Sequence, residues 1–530
     1  MKKIVVIHLS RMGDMLQSIP FLASLKKKFP DARISLLAYK PFFKIISSSP
    51  YIDKFINLID SRYIRAFEDN NVDDETCSSL IKNNELLRLE YDLLFNLTHN
   101  ISSARLAYYM NAKKKAGALL VDQELVVRDD WCKYFFSLSK KREENLFNIV
   151  NIYQGMAGSF ATSVLEYYND SFLRRGKEFL KSYLLFNEDK IIIAIHPGAN
   201  LESKQWGKDN FVRLINLIKQ SSPAVILLLG SQDEQEIGKY IESHIDSKII
   251  NCIGLTKIED LPGILQDVDL LISSDSGLSH VAASVGVKTV TISFGALYFA
   301  ETSPYGNGNI IITPDIDCYP CKMACKDLHC KNIIDAESVL NAVRVSLFEE
   351  GYVETENILA YITKLNHNSL MYYYPLNKNV SDNFIKGVLN HYLWSSFFAF
   401  PDSLDFFNSI LNKYINYEQV DKILDYYIRF YKMWISKYNN TIKMIKNYLS
   451  LEDSLTKDDL QQSLNIFLKD FEEERLLSDE SIFKYFHLYE MIDFPQADNI
   501  DILQIVLDKY TKLEKIASLF VNRLQSIKVS

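Results

Sequence analysis

The chain has 530 residues, 48% of them apolar and 24% charged, with a formal net charge of −8. That length exceeds what one hydrophobic core sustains, so several domains are expected, and the acidic balance argues against a general nucleic-acid binder. Every apolar run falls short of the ~20 residues of a membrane span, and residues 1–10 lack the long apolar region and cleavage site of a signal peptide, so a cytoplasmic protein is expected.

In chain order, residues 4–9 read as a strand, 10–14 as a loop, 15–28 as a helix ended by Pro30 and Asp31, and 33–38 as a second strand. A helical stretch at 41–48, a short strand at 55–58 and a strand at 91–97 follow. Residues 60–85, polar and acidic, are expected to form a loop or insertion, and 120–185 to be mostly helical. This alternation argues for a parallel sheet covered by helices in a first domain at 1–185.

Residues 191–195 form a continuous apolar strand that ends at His196, Pro197, Gly198, Ala199 and Asn200. Helix 210–220, strand 224–229, helix 234–244, strand 248–252 and helix 258–266 follow. Residues 268–295, VDLLISSDSGLSHVAASVGVKTVTISFG, then read as strand, tight polar loop, helix and strand. Helix 335–350 closes a second α/β domain at 186–350. From about residue 366 Tyr, Phe, Leu, Asn, Lys and Ile dominate, and 420–450 and 501–529 carry helical periodicity. Residues 366–530 are therefore expected to be a separate all-helical domain.

Two Rossmann-like halves expose polar loops where strands end, at 10–14, 98–100, 196–200, 231–234 and 273–280, and ligands usually bind at such ends. Ser276 and the N–H groups of Gly277 and Leu278, at a helix start, suit phosphate. Asp275 would repel phosphate, so it suits a sugar hydroxyl or caps the helix. His280 suits either phosphate or the core. Lys204 is a phosphate-binding cation or a solvated loop lysine. Ser203 adds a hydroxyl, and Trp206 packs the loop or flanks a base. One carboxylate of Asp233, Glu234 and Glu236 is expected at a ribose diol, and spacing does not separate the three. Asp14, after Gly13, either caps a helix or takes a proton from an incoming hydroxyl.

Cys318, Cys321, Cys325 and Cys330 lie within thirteen residues. In a reducing compartment such a cluster suits a structural zinc or iron site more than core thiols or disulfides. Its spacing is not that of the common ferredoxin run.

HLSRMGDMLQSIPFLASLKKKFPDA (8–32), HPGANLESKQWGKDNFVRLI (196–215), LLLGSQDEQE (227–236) and SSDSGLSHVAASVGVKTVTISFG (273–295) together resemble the bacterial heptosyltransferases of glycosyltransferase family 9. The resemblance covers about residues 1–350. It implies a GT-B fold, two Rossmann-like domains facing a cleft, followed here by the helical domain, which lies outside the family core. It implies an inverting transfer from a nucleotide sugar, ADP-heptose or another, with Asp14 as general base. Ser203 and Lys204 would then contact phosphate, Glu234 or a neighbouring carboxylate the ribose, and Asp275, Ser276, Gly277, Leu278 and His280 the donor sugar and diphosphate. In a subset of relatives a cysteine cluster binds iron, which leaves zinc or iron open here. The acceptor is a protein side chain or a lipid-linked glycan, and the extra domain leans toward protein. Peripheral contact with the inner membrane and a homo-oligomer stay open, and a non-catalytic nucleotide-sugar-binding scaffold is the alternative class.

Overall fold

A computed structural model describes residues 1–39, 43–47, 49–58, 61–138, 141–161, 168–184, 190–199, 204–296, 298–321, 329–378, 380–399, 403–414, 417–449 and 499–529. Compactness divides the chain into one unit of residues 1–123 and 146–380 and a second of residues 124–145 and 381–530.

The first unit holds two sheets. In the first, β1 (Lys3–Ile7), β2 (Arg33–Tyr39), β3 (Lys54–Leu58), β4 (Tyr91–Asn96) and β5 (Ala112–Val121) follow the order β3-β2-β1-β4-β5. All of these pairings are parallel, with Ile4 opposite Ile34 on one side and Leu93 on the other. Ile4, Val5, Val6 and Ile7 are all fully buried, as a parallel strand covered on both faces requires.

The expected helix at 15–28 is two helices, α1 (Met12–Gln17) and α2 (Ile19–Lys28). Pro20 has no N–H to continue the ladder from α1, and its ring crowds the preceding turn. Ser18 sits at the break, where its N–H and hydroxyl both donate to the Met15 carbonyl. Residues 60–85 are also more ordered than expected. They hold helices Ser61–Glu68 and Asp74–Lys82, the second capped by Asp73, whose carboxylate accepts from the Thr76 N–H at 2.8 Å.

β6 (Glu124–Arg128) belongs to the second unit. The second sheet of the first unit contains β7 (Ile192–His196), β8 (Val225–Leu228), β9 (Ile250–Asn251), β10 (Leu270–Ser274), β11 (Lys288–Ile292), β12 (Ile310–Pro314), β13 (Ile358–Leu365) and β14 (Met371–Pro375). Their order is β14-β13-β12-β11-β10-β7-β8-β9. β7 to β12 pair in parallel, and β13 and β14 close the edge antiparallel. Ile193, Ile195, Ile226, Leu228, Ile272 and Val290 form its core.

Each sheet reverses its winding direction between two neighbours, β1 and β4 in the first, β7 and β10 in the second. Such a switch point opens a crevice outside the strand C-terminal ends. The loops that carry the expected site residues sit there.

The helical unit does not begin near residue 366. The compositional change falls between β13 and β14, the antiparallel pair at the edge of the second sheet, and the unit resumes at Ser381. It also draws in residues 124–145 from the first half. Within it, Trp131 stacks on Phe398 with ring centroids 3.6 Å apart. The buried Glu144 carboxylate accepts from Asn390 Nδ2 and the Tyr427 hydroxyl, each at 3.0 Å. The helices Tyr417–Leu449 and Asn499–Val529 bury Tyr431, Trp434, Tyr438, Tyr510 and Phe520. Among the described residues no helix is long and apolar enough to cross a membrane.

Candidate active site

The loop after β1 and the start of α1 meet the helix Gly277–Ser284, which follows β10. Two glycines make the approach possible. A Cβ on Gly13 would stand 2.8 Å from His280 Cδ2 and 3.3 Å from Gly277 Cα, and a Cβ on Gly277 would stand 2.7 Å from Met12 Cε. Asp14 is thereby carried to the donor-side loops.

Asp14 takes the first of its two expected places, at the helix start. Its carboxylate accepts from the Arg11 N–H at the start of α1, the return half of a capping box. The residue is also exposed, so an incoming hydroxyl can reach it. The surrounding protein still strips water from this concave position and raises its pKa, against the pull of the Arg11 N–H and of the Lys204 and Arg11 charges.

Lys204 is the cation common to the site, and its charge acts on Asp14, Asp275 and His280. Burial pushes the Asp275 carboxyl up to about 6; Lys204 opposes the rise, the Asp14 charge adds to it, and a hydrogen bond with Thr302 opposes it. Burial, then Lys204, lowers His280 to about 4, so its ring is neutral at pH 7. The ring lies with Nε2 4.0 Å from Asp275 Oδ1 and packs on Gly13. It is therefore as much a core residue as a polar one.

Ser276 stands at the helix start in extended conformation, and its side chain makes no capping bond. The N–H groups of Gly277 and Leu278, in the first turn, are of the kind left without an intrahelical acceptor. The Ser276 hydroxyl lies instead 3.0 Å from His196 Nδ1. The other face of that imidazole meets Glu234, with Nε2 3.3 Å from both carboxylate oxygens. Oε2 of Glu234 also accepts from the Ser231 N–H at 2.6 Å and the Ser231 hydroxyl at 2.9 Å. Burial raises the Glu234 carboxyl, but His196 and Ser231 outweigh it and hold it at about 2.

The structure thus distinguishes the three acidic candidates. Glu234 lies against the strand ends, over Gly198 and Gly230, where a Cβ on Gly198 would fall 1.8 Å from Oε1. Asp233 and Glu236 are exposed, and Glu236 pairs with Lys239 at 2.8 Å. Trp206 is a core residue: its ring is buried against Phe211, and Nε1 donates to the Ile334 carbonyl at 2.7 Å. Ser203 lies outside the described residues. His196 is the participant that spacing did not single out. Its position at a strand end, two residues before a glycine, was the available signal.

The cysteine loop begins beside the crevice, where the Cys321 N–H donates to the Gly295 carbonyl at 2.8 Å after β11. Cys318 is exposed, Cys321 half-buried and Cys330 buried, and Cys325 lies outside the described residues. Among the described residues no group of three His, Cys, Asp or Glu side chains is arranged to hold a metal ion. The expected zinc or iron site finds no support there.

Two Rossmann-order sheets bring a reachable carboxylate from one half against a lysine, a helix start and a strand-end carboxylate from the other. This is the architecture of a GT-B glycosyltransferase. Residues 82–331 match the model of glycosyltransferase family 9 (heptosyltransferase). The chain is 27% identical over 291 residues to lipopolysaccharide heptosyltransferase 3 of Escherichia coli K12, covering 54% of this chain and 80% of that protein. It is 26% identical over 331 residues to lipooligosaccharide heptosyltransferase 2 of Campylobacter jejuni, covering 60% and 89%. A crystal structure of a family 9 glycosyl transferase from Veillonella parvula superposes with a TM-score of 0.54 at 20% identity, over 66% of this chain and 98% of that one. Through its α/β unit the chain is similar to glycosyltransferase family 9, and it is a glycosyltransferase. Residues 381–530 lie beyond those the family model matches.

Proposed function

We propose that the protein transfers heptose from ADP-heptose to a hydroxyl of a lipid-linked core glycan, inverting the anomeric carbon. The observation that carries this reading is the placement of Lys204, whose charge acts on Asp14 of the first half and on Asp275 of the second. One cation thus acts on both the proposed base and the donor loop. The lipopolysaccharide and lipooligosaccharide heptosyltransferases among the relatives favour a glycan acceptor over a protein side chain.

In this mechanism Asp14 takes the proton of the acceptor hydroxyl. The oxygen forms its bond to the anomeric carbon from the face opposite the diphosphate, and the bond from that carbon to the diphosphate oxygen breaks. The charge left on the diphosphate meets Lys204, the Ser276 hydroxyl and the N–H groups of Gly277 and Leu278. Glu234 accepts from the ribose hydroxyls, and Asp275 faces the donor sugar. Positioned proton transfer contributes about 10²–10⁴-fold, and each preorganised donor to the leaving charge about 10²–10³-fold.

The test is incubation of the full-length protein with ADP-heptose, extracted lipid-linked glycans and extract proteins, followed by mass spectrometry of both fractions. One added heptosyl residue on the glycan fraction is expected. Addition confined to a protein would overturn the acceptor. Tight donor binding with no transfer to either fraction would overturn the catalytic reading in favour of a scaffold.

A further inference from the structure

The turn that faces Asp275 is held from behind by a closed set of buried hydrogen bonds. Thr302 ends the short helix Phe299–Thr302, which follows β11, and its hydroxyl donates to the Asp275 carboxylate. Tyr373 of β14, fully buried, pins the backbone on either side of Thr302. Its hydroxyl donates to the Ala300 carbonyl at 2.7 Å. That bond uses its one hydrogen, so the Ser303 hydroxyl, 2.9 Å away, donates to the Tyr373 oxygen. Asn148 Nδ2 has two hydrogens and gives one to the Tyr373 oxygen and one to the Ser303 carbonyl, each at 3.1 Å. Asn148 Oδ1 accepts from the Val150 N–H at 3.0 Å and caps the helix Ile149–Ala157, which fixes the direction of the amide.

Rings hold the other end of the turn. Phe299 stacks on Tyr361 of β13 with centroids 4.3 Å apart and meets Tyr373 edge-on at 5.3 Å. Asn151, one turn along from Asn148, grips β14 as well: its Nδ2 donates to the Ser369 carbonyl at 2.8 Å, and its Oδ1 accepts from the Met371 N–H at 3.0 Å. Thr302 thus sits on a turn whose carbonyls, hydroxyl and ring are all engaged. Asp275 keeps 12% of its side chain exposed. A carboxylate has lone pairs for several donors, so the bond from Thr302 fixes its direction and leaves an edge open to a ligand. We propose that Tyr373 and Asn148 are positioning residues for the donor sugar: they hold Thr302, and Thr302 turns the Asp275 carboxylate toward the sugar hydroxyls. β13 and β14 then serve as a buttress for sugar recognition. This inference rests on the nucleotide-sugar reading above.

The test is titration of the full-length protein with ADP-heptose and with ADP, the same nucleotide without the sugar. A change in the ratio of the two dissociation constants isolates contacts to the sugar. Thr302→Val keeps the shape of the side chain and removes its hydroxyl; Tyr373→Phe keeps the ring and removes its hydrogen bonds. Each should weaken ADP-heptose binding about tenfold, the size of one charge-assisted bond, and leave ADP binding unchanged. The double variant should bind no more weakly than Thr302→Val alone, because Tyr373 acts through Thr302. On an Asp275→Ala background, Tyr373→Phe should leave the ratio where Asp275→Ala sets it. Equal losses for ADP and ADP-heptose in Tyr373→Phe, or losses that add in the double variant, would show a general packing role and overturn the proposal. An unchanged ratio in Thr302→Val also overturns it, and this arm leaves the buried set intact, so it stands even if Tyr373→Phe does not fold. In both cases wild-type binding of ADP-heptose keeps the nucleotide-sugar reading standing. Failure of the wild type to bind ADP-heptose overturns that reading and this inference with it.

Discussion

Gly13 lies so close to His280 that a methyl group in place of its hydrogen would come within 2.8 Å of the ring at Cδ2. The contact ties the helix that carries Asp14 to the helix that presents Ser276 and the Gly277 and Leu278 N–H groups. A bare backbone on one side and a neutral, buried ring on the other set how near the proposed base comes to the donor.

Gly13→Ala should therefore cost both stability and rate. The methyl meets a packed ring and the Gly277 backbone at 3.3 Å, and overpacking of this kind costs about 1–3 kcal/mol. Gly277→Ala is crowded by Met12 Cε at 2.7 Å, the tip of a flexible side chain, with the Gly13 backbone at an ordinary 3.6 Å, and should be milder. Thermal melts and turnover of the two variants check the order; equal or reversed effects would show that the Gly13 contact is not tight in solution.

Asp14→Asn keeps the shape of the side chain and removes its basicity. Turnover should fall by about 10²–10⁴-fold, with the donor dissociation constant nearly unchanged. Steady-state kinetics beside a donor titration separate the two quantities, and near-normal turnover would remove Asp14 from the role of base.

Lys204→Met should lower turnover by about 10²–10³-fold and also move the pH profile. Asp14 acts as a base only when ionised, and the Lys204 charge lowers its pKa. Without that charge the pKa rises further, so the acid limb of kcat/KM shifts to higher pH. A limb that stays in place, or moves down, would contradict the electrostatic coupling.

Asp275→Asn should stabilise the protein at neutral pH while impairing it. Folding raises this carboxyl from 3.8 to about 6. Its contribution to stability is thus full below pH 3.8 and lost as pH rises through 6. At roughly 1.4 kcal/mol per pH unit, the ionised group costs on the order of 3 kcal/mol above pH 6. Melting of the variant should gain on the native protein at pH 7.5 and lose the gain near pH 4. A gain that does not depend on pH would point to packing instead.

The local patterns carried the site further than the spacing of single residues did. The β-branched runs at 191–195 and 268–272 announced buried parallel strands, and the small polar loops after them were legible as a ligand edge. The loop of Asp14 lies against the Asp275–His280 loop through the contact of Gly13 with His280 and Gly277, and the Lys204 charge acts on both carboxylates. Which carboxylate of Asp233, Glu234 and Glu236 reaches the strand ends was not legible, because Gly198 and Gly230 make that space from other loops. The role of His196 depends on partners 38 and 80 residues away. The break at Ser18 was implied by Pro20, yet the apolar pattern runs across it unaltered. The helices at 61–82 are short, and their polar faces read as loop. The partners of Trp131 and Glu144 were invisible because nothing local distinguishes an apolar residue that packs on its neighbours from one that waits for Phe398 or Tyr427.

The split second unit also has a consequence for how the protein is made. Trp131 and Glu144 leave the ribosome well before Phe398, Asn390 and Tyr427 exist, and at ordinary elongation rates the delay is tens of seconds. Through that interval a nascent α/β unit carries an exposed tryptophan and an unpartnered carboxylate on a stretch it cannot complete. The delay invites chaperone capture, and it also restricts inheritance. A single recombination crossover near residue 380 would separate residues 124–145 from their partners. This helical unit and its host can therefore be exchanged only together, or by two matched exchanges.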